Sequence, residues 1–303
     1  MQSISTSLVP SFICNPLPTS QPIRTPTRLS KVKCSASVSR RHFLSASVAA
    51  TAALLMPSKS EAISGLHIFP LKDSLTNAYF LMRACETNSD ASKIVNSNPA
   101  YKLSLEQHSL TRKGVDQAIR VSEALQKEGL SSDAWLWPSV TISSFQTAEI
   151  LASKLRIRRE QIVPEYSFLD ARGVGALNGG TTSEVRRIVI DNDRTDSDWR
   201  PRSGEDGTPN DSTNDVFVRV TQLLNKLETQ YYGENIVIIS PDSDPLSILQ
   251  ATLTGQDLRS HHQLEYFPGE VRRVKELVTD DYGKTVVQPE ALIICRPDTG
   301  LLA

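Results

Sequence analysis

The sequence predicts an α/β fold, and three observations carry the prediction. Short apolar runs of the kind that form buried strands recur along the chain, in Tyr79-Phe80-Leu81-Met82, in Ile236-Val237-Ile238-Ile239 and in Ala291-Leu292-Ile293-Ile294-Cys295. Between them, apolar residues fall at helical spacing, most clearly from Thr111 to Leu125 and from Asp215 to Tyr231. The run at 235–240 is continuous rather than alternating, as expected of a parallel-type strand covered on both faces.

The first 62 residues stand apart from this pattern. They contain no Asp, one Glu (Glu61) and seven Lys or Arg, with abundant Ser, Thr and Pro up to about Ser39, which is the composition of an organellar transit peptide. Val32-Lys33-Cys34 resembles a stromal processing site. Ser39-Arg40-Arg41-His42-Phe43-Leu44 then supplies a twin-arginine stretch ahead of the small, apolar segment Ser45–Met56. That segment is shorter than the ~20 residues a spanning helix needs, and Ser60-Glu61-Ala62 places small residues where a signal peptidase reads. The expected organisation is a chloroplast transit peptide at 1–34, a twin-arginine lumenal signal at 35–62, and a single domain at 63–303 in the thylakoid lumen without stable membrane insertion. An uncleaved amphipathic anchor is the alternative, and Pro57 with the charges after it speaks against it.

Residues 63–303 carry 26 Lys and Arg against 33 Asp and Glu, a net charge of about −7. An acidic surface of this kind lacks the clustered cations a nucleic acid requires. Cys85 and Cys295, the two cysteines of this part, end separate apolar runs and read as buried thiols.

The elements follow in order. The strand at 79–83 ends in Arg83-Ala84-Cys85-Glu86-Thr87, and a polar loop through Asn88, Asp90 and Asn96-Ser97-Asn98-Pro99 is too rich in turn formers for a helix of any length. Thr111 caps the first clear helix. A strand is expected at Ala134–Pro138, a helix from Gln146, and a glycine-bearing loop at Leu169–Gly179. Asp191–Asn214, rich in Gly, Pro, Asp and Asn, reads as loop. A helix over Asp215–Tyr231, a strand over Glu234–Ser240, a helix over Asp244–Leu253 and a late strand from Gly269-Glu270-Val271-Arg272 follow, and Ala291–Cys295 is expected to close the sheet.

Over residues 79–273 these segments resemble the histidine phosphatase superfamily, the phosphoglycerate mutase-like proteins. Arg83-Ala84-Cys85-Glu86-Thr87 is similar to the family's Arg-His-Gly-Glu-Thr. Leu110-Thr111-Arg112-Lys113-Gly114-Val115-Asp116-Gln117-Ala118 is similar to Leu-Thr-x-x-Gly-x-x-Gln-Ala, and Gln146-Thr147-Ala148-Glu149 to Gln-Thr-Ala-Glu. The run from Leu169 to Gly179 resembles Leu-x-Glu-Arg-x-x-Gly-x-x-x-Gly, and Gly269-Glu270-Val271 the family's Gly-Glu-Val. The resemblance implies a three-layer sandwich, a mostly parallel central sheet flanked by helices.

The same comparison implies that the family's chemistry is missing. The nucleophilic histidine is Ala84, a phosphate-binding arginine is Ser143, the general acid is Ala171, and the second histidine after the 235–240 strand is Pro241. An alanine methyl has no lone pair with which to take up a phosphoryl group. Arg83 remains of the phosphate cradle, and an asparagine position seven residues later is Asp90. The expected function is a pseudophosphatase that binds a small ligand or a lumenal protein partner through Arg83, Thr87, Asp90, Asp170 and Asp242, with no cofactor. Clustered carboxylates also suit a hard cation, with Asp90, Asp242 and Asp244 as candidate ligands, although Asp242-Ser243-Asp244 equally suits a helix cap. The alternative is an active phosphatase with relocated, metal-assisted hydrolysis. Cys85 is no substitute nucleophile of the cysteine phosphatase kind, because Ala91 stands where such a loop needs an arginine. His67, His108, His261 and His262 receive no role, and His261-His262 reads as a solvated loop pair.

Overall fold

The computed structural model describes residues 75–274, 293–298 and 301–302. The expected targeting signals in 1–62 and the first residues of the closing strand, Ala291 and Leu292, lie outside the described residues. In chain order the elements are β1 (Ala78–Arg83), α1 (Asn88–Ser92), α2 (Leu105–His108), α3 (Arg112–Lys127), β2 (Trp135–Pro138), α4 (Ile142–Leu155), α5 (Thr182–Asp193), α6 (Thr213–Gln230), β3 (Asn235–Ser240), α7 (Ser243–Thr254), β4 (Val271–Val274), β5 (Ile293–Arg296) and β6 (Leu301–Leu302).

The strands form one sheet in the order β2-β3-β1-β4-β5-β6. β1 and β3 are parallel neighbours in the register Ala78–Asn235 to Arg83–Ser240, as the order and spacing of the family-like segments imply, and β2 extends the parallel part on the far side of β3. From β4 outward every pairing is antiparallel, so the sheet is mixed, with β2, β3, β1 and β5 running one way. β6 pairs beyond β5, so the run that ends at Cys295 does not form the sheet edge.

Each strand must bury side chains on both faces, and β1 shows the consequence. Phe80 and Met82 join Val121 and Leu125 of α3 and Leu151 of α4 in one core. Tyr79 and Leu81 join Val220 and Leu224 of α6 and Leu249 of α7 in the other. Two helix layers therefore cover a sheet whose continuous apolar runs leave no face for water.

The start of α3 is fixed against the turn that follows β1. Thr111 Oγ1 accepts from the Gly114 N–H at 3.0 Å, and the Thr111 N–H donates to the Glu86 carbonyl at 3.0 Å. A Cβ on Gly114 would lie 2.2 Å from that same carbonyl oxygen, so only glycine lets the helix approach. The Thr-x-x-Gly spacing is thus a packing requirement, and it holds the loop after Arg83.

Two segments differ from the sequence expectation. The polar stretch after Thr87 forms the five-residue α1 and the four-residue α2, both single turns. α5 emerges where no helix is expected and takes Asp191–Asp193 from the predicted loop; Val185 and Val189 pack on Val174 in a small third cluster with Val95, Leu177 and Trp199. Between α5 and α6 the chain is irregular, pinned by the N–H groups of Gly175 and Ala176 donating to Pro209 and Arg202 carbonyls, each at 2.8 Å.

Candidate functional site

The C-terminal ends of β1 and β3 open on a cavity of about 200 Å³. Arg83 closes β1 and lines the space with Ser143 near the start of α4, Ala171, and Pro241, which follows the last residue of β3. Ala84 itself turns its methyl into the α3–α4 core, 2 % exposed, while its N–H donates to the Ser240 carbonyl at 2.8 Å.

All five expected binding residues, Arg83, Thr87, Asp90, Asp170 and Asp242, line this cavity, and each already has a partner. Arg83 Nη2 donates to Asp90 Oδ1 at 2.9 Å and Nη1 to the Tyr266 carbonyl at 3.0 Å, while its Nε has no partner. The other Asp90 oxygen accepts from the Thr87 N–H at 2.9 Å and hydroxyl at 2.7 Å, closing a capping box on α1. Asp170 accepts from Lys102 Nζ at 3.0 Å, and its Oδ1 is buried without a partner. Burial pushes the Asp170 carboxyl above the ordinary range, with Lys102 pulling the other way.

Asp242 is the N-cap of α7, accepting from the Ser243 N–H at 2.7 Å. Its carboxyl is pushed up by burial and by the Asp244 charge, against the pull of Arg83. Asp244 is held below the ordinary range: burial opposes this, but His261 and Arg172 outweigh it. Cys85 is buried and free, its thiol pushed up to about 12 by burial, which suits a packed side chain and not a nucleophile.

Arg172, the residue after Ala171, is 1 % exposed and makes the deepest charge contact of the site. Nη1 and Nη2 donate to both oxygens of Asp193 at 2.5 and 2.9 Å, Nε donates to the Asp211 carbonyl at 3.1 Å, and Asp244 lies 3.4 Å away. A fork donating to both oxygens of one carboxylate fixes that carboxylate in orientation as well as in charge. The sequence assigns Arg172 no partner, since Asp193 lies on a helix it does not predict.

The histidine pair is misjudged by sequence reasoning, and His108 joins the site. His108 lines the cavity, its imidazole held below the ordinary range by burial although Asp90 pulls upward. His261 and His262 are not a solvated pair: they sit on a turn of 3-10 helix over Leu258–Leu264, His261 fully buried, with ring centroids 3.7 Å apart. His262 Nε2 lies 2.9 Å from Asp193 Oδ2, and His261 Nδ1 lies 2.8 Å from the Leu258 carbonyl. Among the described residues, Asp193, His261 and His262 form the group of three whose ligand atoms fall within 4.8 Å of one another; Asp90, Asp242 and Asp244 form no such group. No sequence signal links them, because Asp193 precedes His262 by 69 residues.

Residues 79–290 match the family model described as histidine phosphatase superfamily (branch 1). The chain belongs to the histidine phosphatase superfamily. No curated protein matches it. Among solved structures it is similar to mycobacterial hydrolase 1, with 16 % identity, a TM-score of 0.51, and coverage of 65 % of this chain and 90 % of the other. It is also similar to a mycobacterial glucosyl-3-phosphoglycerate phosphatase solved with VO3, with 16 % identity, a TM-score of 0.52, and coverage of 65 % and 92 %. At such identities the likeness is one of fold, and the histidine phosphatase fold here carries Ala84, Ser143, Ala171 and Pro241 where the resemblance implies its catalytic groups.

Proposed function

We propose that this histidine phosphatase-fold protein is a pseudophosphatase, using the inherited pocket to hold a ligand or a protein partner. The observation that carries the reading is the state of Arg83: it is tied to the carboxylate of Asp90 at 2.9 Å, with Ala84 and Pro241 at the strand ends where imidazoles would act. The first condition repels a phosphate and the second leaves nothing to receive its phosphoryl group. Around the cavity Arg83, Lys102, Arg172 and Arg186 face Asp90, Asp170, Asp242, Asp244 and Glu265, a balance with one more anion than cations. A neutral or cationic polar ligand fits that balance better than a phosphomonoester.

The same proposal places the protein in the thylakoid lumen, on the strength of the composition of residues 1–62, the twin arginines Arg40-Arg41 and the small residues at Ser60 and Ala62. Among the described residues no helix is long and apolar enough to cross a membrane. The catalytic half of the proposal is tested with a panel of phosphomonoesters assayed with and without Mg²⁺, Mn²⁺ and Ca²⁺. Background hydrolysis is the expected result. Metal-dependent turnover that disappears in an Asp90→Asn, Asp242→Asn double variant would replace the pseudophosphatase with an enzyme of relocated chemistry.

A further inference from the structure

His261 is fully buried, yet its Nε2 has no hydrogen-bond partner. A buried ring nitrogen left unpaired is destabilising, so its orientation calls for an explanation. Nδ1 faces the Leu258 carbonyl at 2.8 Å and serves as the N–H donor, which leaves Nε2, 3.8 Å from Asp244 Oδ1, as the ring atom that can give up its proton and present a lone pair to an ion. That arrangement, one nitrogen donating to a carbonyl and the other presenting a lone pair, is how metal-ligating histidines are oriented. The inward side holds His262 Nε2 and Asp193 Oδ2, 2.9 Å apart, and the Asp244 carboxylate, whose Oδ1 lies 3.8 Å from His261 Nε2.

We propose that Asp193, His261 and His262 form a binding site for a Zn²⁺-class transition metal ion, with the Asp244 carboxylate at the fourth position. Bonds of about 2.0–2.1 Å at tetrahedral angles put ligand atoms about 3.3 Å apart. The His262–Asp193 separation needs to open by a few tenths of an ångström to reach that value, and the His261–Asp244 separation to close by about half an ångström. Two imidazole nitrogens favour Zn²⁺ and its transition-metal neighbours over Mg²⁺ or Ca²⁺, which prefer oxygen throughout.

Arg172 is compatible with the ion. Nη1 and Nη2 stay on the two Asp193 oxygens at 2.5 and 2.9 Å, so Oδ2 meets the metal through its second lone pair while the guanidinium orients the carboxylate. Charge also balances: a dication and Arg172 are offset by Asp193, Asp244 and the adjacent Asp242. His262 lines both the main cavity and a second opening formed with Arg194, Asp257 and Arg259, so the site has a path from solvent.

The test reads the metal directly and not turnover, so its outcome is separate from that of the phosphomonoester assay. The full-length chain, stripped with chelator, is titrated with Zn²⁺ by calorimetry and with Co²⁺ by visible absorption, with Mg²⁺ and Ca²⁺ as comparison ions. One Zn²⁺ per chain is expected, with a tetrahedral Co²⁺ spectrum and affinity at least ~100-fold above that for Mg²⁺ or Ca²⁺. His261→Ala and His262→Ala should each weaken Zn²⁺ binding by at least ~100-fold, beyond the ~10–100-fold that loss of an outer partner brings. Should His261→Ala fail to fold, His262→Ala, at a ring that is 11 % exposed, carries the result. Absence of saturable Zn²⁺ binding, binding undiminished in His262→Ala, or equal affinity for Zn²⁺ and Mg²⁺ would each overturn the proposal.

Discussion

Asp90→Asn removes the charge that neutralises Arg83 and leaves a side chain of nearly the same shape. An anion seated beside the guanidinium would lie about 5 Å from the Asp90 carboxylate, where like charges repel by about 3 kcal/mol at an effective dielectric of 20. The two side chains are 16 % and 25 % exposed, so solvent reaches them and screens the repulsion to about 1–2 kcal/mol. Removing it should raise affinity for inorganic phosphate or vanadate roughly 5- to 30-fold, read by calorimetric titration at fixed ionic strength. Hydrolysis of phosphomonoesters should stay at background, because Ala84 still cannot accept the group. Asn can keep its one oxygen where Oδ2 accepts both Thr87 bonds, and the ion pair of Oδ1 with Arg83 is what is lost, so the stability loss should be about 0.5–1 kcal/mol. Thr87→Val separates the two effects: it cuts the cap bond but keeps the carboxylate, and phosphate affinity should not rise. An Asp90→Asn variant that binds phosphate no better than the parent would refute the electrostatic account of the pocket.

Three further outcomes are expected. Asp170 has a carboxyl pKa raised mainly by burial, so the folded state holds the proton more tightly than the unfolded one and ionisation costs stability as pH rises through the folded-state value. Asp170→Asn should therefore stabilise the protein at pH 7, by a margin that shrinks toward pH 4; urea melts at the two pH values check it, and a pH-independent margin would contradict it. Gly114→Ala forces a methyl to within 2.2 Å of the Glu86 carbonyl and should lower stability by about 2–3 kcal/mol or prevent folding, seen in thermal melts. Glu270→Ala strips the buried carboxylate from Arg272, 2.7 Å away and 3 % exposed, and should cost about 3–5 kcal/mol, a Tm loss of roughly 6–20 °C by calorimetry.

β1, β2 and β3 were legible because they are continuous apolar runs, whereas β4 carries Arg272 and Arg273, and the β1–β3 pairing followed from the order and spacing of the segments that resemble the family. The helices with a clear apolar face, α3 and α6, were legible for the same reason, and Thr111 marked a start. α5 was not: Val185 and Val189 alternate with Arg186, Arg187 and Asp191, and its helical form depends on packing against Val174, a contact that local pattern does not contain. The cavity was partly legible. The strand-end position of Arg83 pointed to it, but the partners that occupy Arg83, Asp170 and Arg172 are tertiary. His261 and His262 look polar in sequence, and their burial arises where the turn that carries them packs on α5, α6 and α7.

Which residues match the family's pattern and which depart from it is itself informative in physical terms. Thr111 and Gly114 set the approach of α3 to the Glu86 turn, Arg172 holds Asp193 inside the fold, and Glu270 neutralises Arg272 and Arg296 beneath β4 and β5. Each is a position where substitution would leave a buried charge unpaired, a cap open or a carbonyl in collision. The departures at Ala84, Ser143, Ala171 and Pro241 have the opposite character. Ala84 contributes a methyl to a core, Ser143 and Ala171 are small side chains at the cavity wall, and Pro241 follows the last residue of β3, where no ladder N–H is needed. The residues that hold the scaffold together are therefore distinct from the four departures. It follows that restoring a histidine at Ala84 alone should not restore catalysis: the ring would enter a packed core beside an Arg83 already claimed by Asp90, with no acid at Ala171 and no second imidazole at Pro241.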